Sequence, residues 1–191
     1  MVESSTLTDR QLRDRYPWPH QRSFRLNMIL GEDESVVGPD GTSLSLSSPE
    51  DRRILRVHRQ SADVIISGAE SIRNEGWHLP PQGRMIVLSQ SGNVPLDTCP
   101  DQDRVYIASS ISSALHNLLP NESNILCEGG ISTAATLHNH VIFDELALSL
   151  RGRNAGPPSF LSLDEYALVD TLTELDQDMR FTFWRRAVKP V

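Results

Sequence analysis

The sequence predicts an α/β domain with a mostly parallel central sheet, flanking helices and a C-terminal antiparallel hairpin. Three observations predict it. Short apolar runs without polar alternation, at 63–69, 85–89 and 105–109, read as strands buried on both faces. Helical patterns stand between them, as the crossovers of parallel strands require. Near the end, the stretches 166–175 and 179–187 flank an Asp176-Gln177-Asp178 turn, and Phe181 alternates with Phe183 as one sheet face requires.

A chain of 191 residues, 38% hydrophobic and 23% charged, is long enough for one sizeable core. The expected division is an N-terminal tail over 1–22 and a single domain over 23–191. The formal net charge of −7 argues against general nucleic-acid binding. Cys99 and Cys127 lack the close spacing of a disulfide framework or zinc site. No run approaches the ~20 apolar residues of a membrane span, and no signal segment opens the chain, so a cytoplasmic protein is expected.

Residues 1–22 are polar and punctuated by Tyr16-Pro17-Trp18-Pro19, which limits any helix to about 8–15 and predicts packing through Tyr16 and Trp18. The stretch 24–30 alternates and then turns fully apolar, as a strand entering the sheet interior does. Glu32, Asp33 and Glu34 follow it, and Asp33 is the candidate site carboxylate among them. Ser47-Ser48-Pro49-Glu50 reads as a serine cap, a first-turn proline and first-turn acids, starting a helix to about Gln60. Ile54, Leu55 and Val57 form its apolar face, while Arg52, Arg53, Arg56 and Arg59 make it basic and offer guanidinium groups for an anion. A brief helix over 70–74, the loop 95–103 and a helix over 111–119 connect the following strands.

Ile125-Leu126-Cys127 is a further short strand, and Glu128-Gly129-Gly130 turns it into a helix over 131–138. The first N–H groups of a helix lack internal partners and carry the positive end of its dipole, so such a turn can hold a phosphate. Ser132 and Thr133 add hydroxyls, and Glu128 stands where a carboxylate can accept from a ligand hydroxyl or amine. From these residues alone, a ligand site and a plain helix-sheet connection stand level. A strand over 142–150 and a loop over 151–158 lead to the hairpin.

Taken in order, these segments resemble the reductase domain of riboflavin biosynthesis, found alone or fused to a deaminase, with a dihydrofolate-reductase-like fold. The likeness is carried by 26–33, Gly38-Pro39-Asp40-Gly41, the Ser47-Ser48-Pro49 helix start, Arg59, 62–69 with Arg73 and Glu75, Cys127-Glu128-Gly129-Gly130, and Phe143-Asp144-Glu145-Leu146. It covers about residues 23–187.

The resemblance implies a divergent member that reduces a ribosylaminopyrimidine 5′-phosphate to its ribitylamino form with NADPH, usually as a homodimer. A small phosphorylated pyrimidine is the implied partner, with neither nucleic acid nor membrane. It places Asp33 and Glu128 in the catalytic position, orienting the sugar or relaying a proton. Asn27, Ser48 and Arg59 match substrate-side positions. Ser71, Glu75, Gly129, Gly130, Ile131, Ser132 and Thr133 match the cofactor side, with 130–136 around the phosphates. The chemistry suits these residue types, because hydride transfer asks the protein chiefly for positioning.

The chain departs from the family pattern at four places. Glu32 and Glu34 flank Asp33 in place of leucine and glycine, and Gln82 stands where an arginine often holds the substrate phosphate. The segment 101–126 is shorter, and Arg151 and Arg153 follow the 142–150 strand. A diverged non-catalytic relative that binds a nucleotide-like ligand is the rival reading, and a pterin-type substrate is a variant of the first. His138 and His140 sit at a helix C-terminus, a capping position rather than a metal site, and no Ser-His-Asp spacing supports hydrolysis.

Overall fold

Apolar runs that need cover on both faces build the centre of the sheet in the computed structural model, which describes residues 2–3 and 6–187. Residues 1, 4 and 5 of the expected tail and 188–191 of the expected domain lie outside the described residues. The strands are β1 (Val2–Glu3), β2 (Ser23–Leu30), β3 (Val64–Gly68), β4 (Arg84–Leu88), β5 (Val105–Ala108), β6 (Asn124–Cys127), β7 (Glu145–Arg151), β8 (Tyr166–Glu174) and β9 (Met179–Arg186). They form one sheet in the order β1-β8-β9-β7-β2-β6-β3-β4-β5. Among the described strands, β9 alone runs antiparallel, pairing with β7 and with β8.

Two layers of helix cover the sheet. On one face, α4 (Ile111–His116) and α5 (Ile131–His138) set Ile111, Ala114, Ala134 and Leu137 against Leu26, Met28, Ile66, Ile86 and Leu146. On the other, α1 (Asp9–Arg15), α2 (Pro49–Gln60) and α3 (Ala69–Glu75) bring Leu12, Ile54, Val57 and Ile72 onto Phe181, Phe183, Ile65, Met85 and Leu126. Thr8 starts α1 with a capping box through Gln11, and Ser48 caps α2 ahead of Pro49. These caps satisfy N–H groups that a helix start would otherwise leave open.

Residues 7–18 of the expected tail join the second layer. Leu12 and Tyr16 are buried there, and the guanidinium of Arg25 lies 3.9 Å from the Trp18 ring centroid. Arg25 is fully buried and donates to Glu145 at 2.6 Å, to the carbonyls of Tyr16 and Pro17, and to Nδ1 of His58 at 2.9 Å. Glu145 also takes Arg185, so two guanidinium groups share one buried carboxylate. A polar residue at strand spacing reads as solvent-facing in sequence, and here it closes the join between the entering chain and the sheet.

Two element bounds and one strand depart from expectation. The 111–119 helix stops at His116; the Asn117 N–H still donates to the α4 carbonyls, while its side-chain oxygen and its own carbonyl accept from Arg84. The strand expected from 142 begins at Glu145, since Asp144 exchanges bonds with Phe24, its N–H donating and its carboxylate accepting. Among the described residues, strand β1 pairs through Val2 with Leu172 and Glu3 with Thr173, too short for any period to announce it.

Candidate active site

Strand β6 inserts between β2 and β3, and its helix α5 leads away toward β7 while α3 leads from β3 toward β4. Connections that part in this way open a crevice at the C-terminal ends of the strands, where ligands of open α/β sheets bind. A cleft of about 680 Å³ lies there, reaching from Asn27 and Ser47 to Glu75 and His78. The two connections pack closely: a Cβ on Gly68 would come within 2.6 Å of the Thr133 hydroxyl, and one on Gly129 would overlap the Thr133 side chain. Glycine at both positions lets α3 and α5 start side by side.

Gly130 begins α5 without a side-chain cap, and no atom lies within 4 Å of where its Cβ would stand. Gly129, Gly130, Ile131, Ser132 and Thr133 all line the cleft. An uncapped helix start with space above it fits the diphosphate of a dinucleotide. The lining ends at Thr133, because Ala134 and Leu137 belong to the core and Thr136 bonds back to the Ser132 carbonyl at 2.7 Å. Ser71 and Glu75 line the same cleft from α3, with Glu75 accepting the Ser43 N–H at 2.9 Å.

Across the turn, Arg59 forks onto Glu128 with three contacts of 2.7 to 2.9 Å. A bidentate guanidinium fixes the carboxylate plane and leaves it acceptor-only. Burial pushes the Glu128 carboxyl up, the Arg59 charge and hydrogen bonds oppose that push, and Glu75 adds a smaller upward one. His78 is lowered by burial and by the Arg59 charge, against the opposing pull of Glu75. The preceding Cys127 has its thiol pushed up to about 12 by burial, which leaves it inert as a nucleophile.

Asn27, Arg59 and Glu128 therefore meet in the cleft, together with the seven residues matched to the cofactor side. Ser48 and Asp33 do not join them. Ser48 is buried at the start of α2, accepting from the Asp51 N–H and donating to Glu174, while its neighbour Ser47 opens on the cleft. Asp33 turns back to accept the Ser35 N–H at 3.0 Å, in a turn whose next residue, Glu34, holds φ at 59°. It lines an adjoining open groove of about 860 Å³ with Glu32, Arg151 and Asp178, and Val37 lines both the groove and the cleft. Arg151 is held there by the carbonyls of Ser45 and Leu46, and the groove is not lined by the Gly-Gly turn. Gln82 lines neither space. Sequence reasoning passes over Asp51, a buried carboxyl in the cleft, because its position marks it first as a helix-start acid.

No protein-family model matches the chain. A 69-residue segment is 33% identical to the ethanolamine ammonia-lyase small subunit of Ralstonia nicotianae, across 34% of this chain and 25% of that one. The chain thus spans about a quarter of that curated relative, and a match of that extent fixes neither fold nor chemistry. Solved structures agree over far more of the chain. A pyrimidine reductase-like protein from Corynebacterium diphtheriae has a TM-score of 0.66 at 18% identity, over 96% of this chain and 100% of that one. A putative riboflavin biosynthesis protein from a Shewanella species gives 0.64 at 16%, over 87% and 99%. The Thermotoga maritima diaminohydroxyphosphoribosylaminopyrimidine deaminase/5-amino-6-(5-phosphoribosylamino)uracil reductase gives 0.60 at 14%, over 87% of this chain and 57% of its own. The fold is accordingly α/β and dihydrofolate-reductase-like, and the expected likeness to pyrimidine reductases of riboflavin biosynthesis holds at that level. Among the described residues, no helix is long and apolar enough to cross a membrane.

Proposed function

We propose that the chain is an NADPH-dependent reductase of a ribosylaminopyrimidine 5′-phosphate, of the riboflavin-biosynthesis type. One observation carries the reading: the uncapped Gly129-Gly130 turn and the Arg59–Glu128 pair open on one cleft at the switch point of a reductase-like sheet. NADPH, when bound, supplies the hydride. The N–H groups at the start of α5 and the hydroxyls of Ser132 and Thr133 hold its diphosphate. Glu128, fixed by Arg59, accepts hydrogen bonds from the substrate's sugar hydroxyls, and the Asn27 amide fixes the other end. Positioning of this kind supplies most of what a hydride transfer needs from the protein.

Titration with NADPH and with NADH, followed by nucleotide fluorescence, tests the reading first. Saturable binding and oxidation of the nucleotide with 5-amino-6-(5-phosphoribosylamino)uracil are expected, and no binding at millimolar nucleotide overturns it. A second reading, reduction of an unphosphorylated heterocycle such as a pterin, draws on the charge of the lining. Glu70, Glu75 and Glu128 stand there against Arg52 and Arg59, so an added substrate phosphate meets repulsion. Binding without turnover of the phosphorylated pyrimidine favours this second reading. The homodimer that the resemblance implies belongs to the same reading, and sedimentation at micromolar protein checks it.

A further inference from the structure

Asp51 is only 6% exposed, yet it lines the cleft beside Asn27 and Ser47. Its two oxygens meet the hydroxyl of Ser47, at the cleft wall, and that of Ser149, from β7 beneath. A hydroxyl donates to a carboxylate or accepts from a carboxylic acid. Each Asp51 oxygen therefore keeps a hydrogen-bond partner in either protonation state. The charged groups around it are Arg52 and Arg59 on its own helix and Glu174 of β8, which takes the Ser48 hydroxyl at the same helix start. Among the described residues, no arginine hydrogen-bonds it. Glu128 is held by a guanidinium fork, whereas Asp51 has only neutral bonding partners. Burial raises its carboxyl above the ordinary aspartate range, against the pull of both serines and both arginines. Burial raises the Glu128 carboxyl as well, but there a guanidinium opposes it, and among the described residues Asp51 has no such hydrogen-bonded cation.

We propose that Asp51 is the proton donor of the reduction, an inference that rests on the reductase reading. Reducing a C=O or C=N bond requires a hydride at carbon and a proton at the heteroatom. The substrate carbon takes the hydride from the reduced dinucleotide, and the π pair moves to the heteroatom. That atom takes the Asp51 proton, and the carboxylate left between Ser47 and Ser149 is reprotonated from water in the cleft. The dinucleotide is oxidised by two electrons and the substrate is reduced by the same two.

The near-isosteric Asp51→Asn variant tests this. Reduced-dinucleotide affinity is expected within about twofold of wild type, while turnover falls by roughly 10²–10⁴, the usual weight of general acid catalysis. Infrared spectra at neutral pH give a readout without substrate: the C=O stretch of a protonated carboxyl, present in wild type and lost in Asp51→Asn. Ser149→Ala, which removes a hydroxyl outside the cleft lining, is expected to shift that band and slow turnover several-fold; it keeps the test open if Asp51→Asn does not fold. Turnover by Asp51→Asn within about threefold of wild type, or no such band in the wild-type spectrum, overturns the proposal alone. Wild-type protein that binds no reduced dinucleotide overturns the reductase reading and the proposal with it.

Discussion

Arg59 is forked onto Glu128 in the cleft wall, and each side chain leaves the other stranded if removed. Glu128→Ala therefore acts on substrate more than on cofactor: KM is expected to rise at least tenfold, with the NADPH dissociation constant changed less than threefold. Stability should drop by about 2 kcal/mol, below the cost for a wholly buried pair because Arg59 keeps some water contact. The reverse ordering of the two affinities would move the Gly-Gly turn to the substrate side. His58 supplies a pH effect of definite sign. Its ring is buried, accepts from Arg25, and has its pKa held well below 6.5 by burial and then by the Arg25 charge. The unfolded chain binds a proton below about pH 6.5 that the folded chain refuses, so this residue removes stability as pH falls through that point. The raised carboxyls of Asp51 and Glu128 act oppositely, gaining stability on acidification, so the contribution must be read by difference. Relative to wild type, His58→Gln should lose about 1 kcal/mol less between pH 7 and pH 5.5 in urea unfolding. Equal losses in both proteins would mean that His58 titrates alike in the folded and unfolded states.

At the scale of elements, the turn into α5 separates two glycines with different duties. A methyl at Gly129 overlaps Thr133, whereas the space over Gly130 is open and its φ of −61° suits any residue. Gly129→Ala is thus expected to cost about 1–3 kcal/mol, as overpacking does. Gly130→Val should cost about 1 kcal/mol, since valine is a poor helix N-cap, while weakening reduced-dinucleotide binding at least tenfold, because its side chain stands where the diphosphate would lie. Calorimetry of both variants checks the pair, and Gly130→Val binding like wild type would place the diphosphate elsewhere. The turn is visible in sequence because glycines between an apolar run and a helical period leave few alternatives. Asp33 is equally visible but lines the adjoining groove rather than the cleft, its carboxylate taken by the Ser35 N–H. Pattern fixes which strand end a residue follows, not which side of a loop it turns to. Arg25 and Glu145 show the same limit from the core side: strand alternation marks them as outward, and only their direct opposition across β2 and β7 shows that each is the other's partner.

For the whole molecule, that opposition couples the entering chain to the sheet. Arg25 bonds to the carbonyls of Tyr16 and Pro17, lies over Trp18, is shut away from solvent, and shares Glu145 with Arg185 from the antiparallel strand. Glu145→Gln leaves the buried guanidinium without its counter-charge and should cost about 3 kcal/mol, a large share of the ~5–15 kcal/mol that holds a domain together. Urea unfolding followed by far-UV circular dichroism measures it. The double variant Arg25→Met with Glu145→Leu distinguishes two reasons for the pair. If the loss in the single variant is the penalty of an uncompensated charge, the apolar pair recovers most of it, since well-packed hydrophobic residues replace buried ion pairs at little cost. The same double variant also loses the donor that fastens residues 16–17, so its recovered stability should come with a changed Trp18 environment, read as a shift in tryptophan emission. Recovery with unchanged emission would mean that packing of Leu12 and Tyr16 alone seats the N-terminal segment, and no recovery would assign the pair a structural part that charge compensation does not explain.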